Sequence, residues 1–464
     1  MSQLETVLSR VDQNMEQSIE RWFELLKIPS ISTDSAYKED CLKAADLLKT
    51  TLEDIGFETT VRPTSGLPMV VGHHVPDALP ADAPHVLFYG HYDVQPADPL
   101  EKWNTPPFEP ARITGEDGIE KVYARGAADD KGQLMTFIEA SRAWIETAGH
   151  LPVKVTILFE GEEESGSPSL DAFLEENTAE LSRDVALICD TNMWDKDTPA
   201  ITTRLRGIMH DEITVIGPSR DLHSGLYGGV ARNPIRVLSR IVASLHDDEG
   251  RIMVPGFYDG VADVTSETRA QWEELNFPMA EFLGDVGLSL PAGETAYPAL
   301  EQLWARPTCD ANGIIAGYTD EGTKTVIPSR ATVKLSFRLV TGQDPLAIRD
   351  NLREFVRAQL PDDCEVEFMD FGAGTALEVP LDDPHLQKAA RAMGEEFGKD
   401  TVLMGNGASI PIATSFKEQL GMNSLLIGFG LNDDSIHSPN EKYNMPSFVH
   451  GTRSWARILE ALAA

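Results

Sequence analysis

The chain has 464 residues, 42% of them hydrophobic, and acidic side chains outnumber basic ones by 74 to 39, for a formal net charge of −35. That is enough chain for two or three domains with sizeable cores, and it excludes a disordered polymer. The negative field excludes nucleic acid and anionic membrane as partners, and no apolar run has the length of a membrane span.

The first segment reads as a helix, with Val7, Val11, Met15, Ile19, Trp22, Phe23 and Leu26 at helical spacing and Pro29 beyond its end. Its charged residues, among them Glu5, Arg10, Asp12 and Glu16, leave no apolar core for a signal peptide. Cys41, Cys189, Cys309 and Cys364 form no C-x-x-C pair. A reduced, cytoplasmic protein is the expectation. A second helix is predicted from about Glu39 to Ile55.

Three short apolar runs follow, at 85–89, 153–159 and 185–189. Each is nearly continuous, as suits strands buried on both faces of a sheet. Between the first two, Leu134, Phe137, Ile138 and Ile145 mark a helix that ends near Gly149. This order predicts an α/β domain with a mixed or parallel sheet.

From residue 206 the pattern changes. A strand at 208–216, a helix at 235–245, strands at 313–318 and 331–339, a helix at 348–356 and a strand at 364–368 give the order β-α-β-β-α-β of a ferredoxin-like α+β unit. Residues 250–305 read as an irregular insertion. After Pro384 the chain returns to helix and then to an apolar run at 424–429. The expected organisation is therefore a catalytic domain, 1–205 and 381–464, with a smaller domain inserted at 206–380.

The three apolar runs end at groups that bind metal. The first leads to Gly90-His91-Tyr92-Asp93, the second to Glu160-Gly161-Glu162-Glu163-Glu164, the third to Asp190. In α/β sheets the ligand crevice lies at the carboxyl ends of the strands. Two more segments join them: Asp129-Asp130 before the helix that starts near Lys131, and Asp433-Asp434-Ser-Ile-His437-Ser-Pro-Asn-Glu441 after the last apolar run. Imidazole and carboxylate without thiolate suit Zn²⁺ or a similar divalent ion. Singly, each motif has an ordinary explanation: a solvated loop, a wet glutamate run, an N-cap aspartate. Their conjunction at strand and helix ends outweighs those explanations.

Over nearly its whole length the chain resembles the M20 family of metallopeptidases, on the branch of the cytosolic non-specific dipeptidases and carnosinases. The resemblance is carried by Tyr89-Gly-His-Tyr-Asp-Val-Gln-Pro96, Ala124-Arg-Gly-Ala-Ala-Asp-Asp-Lys-Gly132, Glu160-Gly-Glu-Glu-Glu-Ser-Gly-Ser167, Asp221-Leu-His-Ser-Gly-Leu-Tyr-Gly-Gly229 and His437-Ser-Pro-Asn-Glu-Lys442. It implies two divalent metal ions per subunit, zinc first and manganese or cobalt as alternatives. Asp129 would bridge them, with His91 and Asp190 on one ion and Glu164 and His437 on the other. Asp93 would orient His91, and the Asp129–Asp130 peptide would be cis. Glu163 would be the general acid/base that takes a proton from water and returns it to the leaving nitrogen. The Glu-Glu-Ser-Gly-Ser register selects Glu163 and Glu164 as the working pair and leaves Glu162 solvated or in a supporting contact.

The inserted domain would serve as lid and dimer interface, so a homodimer is expected. Read alone, His223 is a structural histidine. The resemblance makes it a donor to the reaction's oxyanion, supplied to the partner subunit's site. Arg338, on the polar face of its strand, suits a carboxylate clamp. Ser409 matches a substrate-touching loop serine. In that loop Gly405 and Asn406 replace a charged pair frequent on this branch. The reading is thus hydrolysis of the amide bond of dipeptides or small peptides, with N-acyl amino-acid deacylation by the same mechanism as the alternative. A non-catalytic subunit would lack a ligand or the base, and a phosphoesterase would need a basic phosphate-gripping loop. Neither condition is met.

Overall fold

The structure, a computed structural model, describes residues 2–408 and 410–464. The chain divides into two compact units. One runs to Thr203 and resumes over Val379–Met404 and Ser415–Ala464; the other comprises Arg204–Glu378 and Gly405–Thr414.

The first unit is built on a mixed sheet. Strands His85–His91, Lys154–Glu160 and Val185–Ile188 are buried almost throughout. The first pairs in parallel with each of the other two, bringing His91 opposite Glu160. Ser424–Ile427 extends the parallel set beside Val185–Ile188. The helices Gln3–Leu26, Lys131–Ala148 and Met445–Ala463 share one apolar core with this sheet. Phe137 stacks on Phe88 with ring centroids 3.7 Å apart, and Trp22 stacks on Phe448 at 4.7 Å. Such pairs add about 0.5–1.5 kcal/mol each beyond the area they bury.

The sequence reading missed the strands Glu58–Arg62 and Met69–His74, which pair antiparallel and continue the sheet past Lys154–Glu160. They are short, and Met69–His74 ends in two histidines, so no apolar run announces it.

In the second unit the strands Thr308–Ala316, Arg330–Leu339, Gly207–Ile216 and Glu365–Gly374 lie side by side in that order, all antiparallel. Helices Pro234–Ala243 and Pro345–Arg357 bury Leu238, Ile241, Ile348, Leu352 and Val356 against Ile213, Val215, Val333, Leu335 and Phe337. The ferredoxin-like order is present. One expected strand, 313–318, instead begins at Thr308 and carries a bulge between Ala311 and Gly313, which breaks the alternation that sequence periodicity relies on. The segment expected to be irregular holds three short helices, Ser266–Glu274, Met279–Gly284 and Ala299–Trp304. The first and third are fixed by non-local contacts: Arg269 pairs with Glu301 at 2.5 Å, and Trp272 meets Trp304 edge-on at 5.0 Å.

Candidate metal centre and active site

Parallel pairing in the first unit aligns the carboxyl ends of three strands. His91 is the last residue of its strand. Glu163 and Glu164 follow Glu160 in a single turn, Glu163–Ser165, and Asp190 follows Ile188 by two residues. Two glycines make the approach possible. A Cβ on Gly90 would sit 2.8 Å from Asp130 Oδ2, and one on Gly161 would sit 2.2 Å from the Tyr92 hydroxyl.

Five side chains gather there in two groups that share one member: His91, Asp129 and Asp190, and Asp129, Glu164 and His437. Within each group the candidate ligand atoms all lie within 4.8 Å of one another. Asp129 divides its oxygens between the groups. Oδ1 lies 3.0 Å from His91 Nε2, and Oδ2 lies 3.0 Å from His437 Nε2. His437 Nε2 is 3.2 Å from Glu164 Oε2, and His91 Nε2 is 4.0 Å from Asp190 Oδ2. The Asp129–Asp130 peptide is cis.

Surrounding groups orient these side chains. His91 Nδ1 lies 3.1 Å from the Asp93 carbonyl oxygen and 3.3 Å from its Oδ1, so this ring nitrogen carries a proton and Nε2 is the atom turned to the Asp129 and Asp190 carboxylates. Asp93 Oδ2 accepts the backbone N–H of Glu164 at 3.0 Å. Asp130 stands at the N-cap position, yet its carboxylate accepts the His91 backbone N–H at 3.1 Å.

The electrostatics call for positive charge. Burial opposes the His91 proton, but Asp129 and Asp93 outweigh it and hold the imidazole well above its ordinary range. Asp129 and Glu164 push His437 up to about 10. Burial, reinforced by Asp129, pushes Asp190 well above the carboxylate range. Glu163 is raised by burial against the opposing pull of His91, with Glu164 and Asp129 adding to the rise. Imidazole nitrogens and carboxylate oxygens in two groups with a shared carboxylate are the donor set that divalent cations satisfy.

Several contributors were quoted in motifs without a role. Gln95 donates from Nε2 to Glu164 Oε2 at 2.8 Å. Lys131 is fully buried, donating to the carbonyls of Leu25 at 3.1 Å and Ile28 at 2.7 Å, and burial lowers it to about 7. Of the two readings of Glu162, solvated or in a supporting contact, the structure has the second: it is 6% exposed and lies over Gly66. No local pattern distinguishes such a glutamate from its neighbours.

His223 and Arg338 belong to the second unit. His223 closes the short strand Leu222–His223, and its Nδ1 accepts the N–H of Gly225 at 3.0 Å. Arg338 is half-buried on Arg330–Leu339, in register with Ile208 and Thr308. Burial, and after it the charge of Arg338, lowers Arg206 to about 10, and Arg206 Nε donates to the Gly407 carbonyl at 3.0 Å. Sequence reading passed over Arg206, which has no motif around it. Ser409 lies outside the described residues.

A parallel-strand crevice carrying two imidazoles, a shared aspartate and a spare glutamate is the arrangement of the two-metal hydrolases. The chain belongs to peptidase family M20/M25/M40, whose model matches residues 87–461, and it is a metallopeptidase of that type. It is 30% identical over 471 residues to the Cys-Gly metallodipeptidase of Candida albicans, covering 97% of this chain and 96% of that one. It is 33% identical over 384 residues to human Beta-Ala-His dipeptidase, covering 82% and 75%. The solved structure of the M20 metallo-carboxypeptidase Sso-CP2 from Sulfolobus solfataricus superposes with a TM-score of 0.79 at 30% identity, over 96% of this chain and 99% of that one. Among the described residues no helix is long and apolar enough to cross a membrane.

Proposed function

We propose that this chain is a cytoplasmic, homodimeric dipeptidase that works with two divalent metal ions, zinc or else manganese or cobalt. The observation that carries the reading is the pair of ligand groups joined at Asp129. His91, Asp129 and Asp190 would hold one ion, and Asp129, Glu164 and His437 the other. The relatives named for Cys-Gly and for Beta-Ala-His cleavage support dipeptides as the substrate class.

When bound, the ions supply Lewis acidity at the scissile carbonyl and acidify water. The Glu163 carboxylate takes the proton of the attacking water and returns it to the leaving nitrogen. Asp93 serves it indirectly, by fixing His91 and the backbone of Glu164. In His223 the hydrogen bond accepted at Nδ1 leaves the proton on Nε2, the tautomer needed to donate to a developing oxyanion. Arg338 would grip the substrate carboxylate with its planar guanidinium.

The second unit would act as the lid and the dimerisation domain at 206–380. Supporting this, Leu226 is 77% exposed, Val230 90%, Ile314 59% and Ile315 62%, large apolar side chains that a partner surface would cover. The test is a panel of Cys-Gly, β-Ala-His and N-acetyl amino acids, assayed after chelation and after restoring each metal. Metal-dependent release from the dipeptides is expected. Preference for the N-acetyl compounds would replace the reading with a deacylase.

A further inference from the structure

Glu441 is fully buried, four residues past His437. Each of its oxygens takes two donors. Oε2 accepts from Arg125 Nη1 at 2.7 Å and from the N–H of Gly126 at 2.9 Å. Oε1 accepts from the N–H groups of Ala128 at 2.9 Å and Asp129 at 3.1 Å. Its own carbonyl accepts the N–H of Ala124 at 3.2 Å. The guanidinium it holds also donates to the Pro96 carbonyl at 3.1 Å, at the end of the motif that carries His91. One carboxylate therefore collects the backbone amides leading up to Asp129 and ties them to the loop bearing His437.

We infer that Glu441 is the positioning residue of the dinuclear site: it sets the backbone of Asp129 so that the two carboxylate oxygens face separate ligand groups. This rests on the two-metal reading above. Four donors on two oxygens require an acceptor on both sides, and a carboxylate alone provides that. Glutamine in its place would aim an NH₂ at two donors, opposing either Arg125 and Gly126 or Ala128 and Asp129. The 125–129 loop would shift, and Asp129 would lose its simultaneous aim at His91 and His437. Glu441 touches no reacting atom, so its effect must pass through metal geometry.

The experiment measures Zn²⁺ affinity and stoichiometry against a competing chelator, and the visible spectrum of the Co²⁺ form. It compares wild type, Glu441→Gln and Glu441→Asp. Glu139→Gln is the control, because Glu139 is another buried carboxylate, accepting from Ser18 at 2.8 Å and Arg21 at 2.7 Å away from the site. Glu441→Gln should bind at least one ion on the order of 10–100-fold more weakly, as outer partners of ligands do. Its Co²⁺ spectrum should change, and Glu441→Asp should recover part of the affinity. Glu139→Gln should lower Tm with affinity and spectrum unchanged. Wild-type affinity and spectrum in Glu441→Gln would overturn the inference, whatever its Tm. Should the variants fail to fold, hydrogen exchange on metal-free wild type decides. Protection of the Gly126, Ala128 and Asp129 amides is expected, and rapid exchange there overturns it. A wild type that does not bind two ions would instead overturn the metal reading itself.

Discussion

The carboxylate of Asp93 accepts the backbone N–H of Glu164 at 3.0 Å while its other oxygen lies 3.3 Å from the imidazole of His91. One side chain thereby fixes both a candidate ligand at the end of its own strand and the turn on the neighbouring strand that presents Glu163. The proposed assignment of Glu163 as base is testable against Glu162. Glu163→Gln should lower kcat by on the order of 10²–10⁴-fold with metal content unchanged. Glu162→Gln, altering a carboxylate packed over Gly66, should lower Tm and keep turnover within a few-fold. The reverse pattern would move the register of the glutamate run by one.

Metal occupancy should depend unequally on the two imidazoles. The His437 side chain is 54% exposed and sits on a loop with positive φ, whereas His91 is fully buried. His437→Ala should retain about one equivalent of metal after dialysis and His91→Ala should retain less. Elemental analysis of both variants checks this. Two full equivalents in His437→Ala would remove it from the ligand set.

Arg338→Met should raise KM for dipeptides by roughly 10–100-fold, the scale of a lost hydrogen bond to a charged group, with a smaller change in kcat. The same substitution should matter little for dipeptides amidated at their C-terminus. An equal KM increase for both substrates would mean that Arg338 supports the sheet and does not grip the carboxylate.

Stability should fall on mild acidification through His85. Burial, with Arg183 next, lowers this imidazole to about 4, and its Nε2 is 2.9 Å from the Thr156 hydroxyl. An unfolded histidine titrates near 6.5. Between about 6.5 and 4 the unfolded chain binds the extra proton, so this contribution is fully present above about 6.5 and declines as pH drops toward 4. His85→Gln should flatten that part of the Tm-versus-pH curve. An unchanged slope would show that other groups govern it.

The proposed homodimer carries its own test. Chains with Glu163→Ala and chains with His223→Ala should each be inactive, and mixing them under subunit exchange should restore up to about half of the wild-type activity per heterodimer, because one site then contains both groups. Heterodimers without recovered activity would exclude action of His223 across subunits.

The site was legible in the sequence where chemistry and chain spacing coincide. His91 and Asp93 lie two residues apart past one apolar run, and Glu163 and Glu164 follow another. Local hydrophobic pattern was enough to place both at strand ends, where α/β sheets bind ligands. Tertiary structure alone decided the rest. Glu441 and Asp129 are 312 residues apart when they meet, and Gln95 reaches Glu164 across 69. Glu162 and Glu163 are adjacent and chemically identical, yet one packs over Gly66 and the other stands beside the ligand groups. Backbone pairing and helix packing set those directions, and side-chain chemistry read along the chain contains neither.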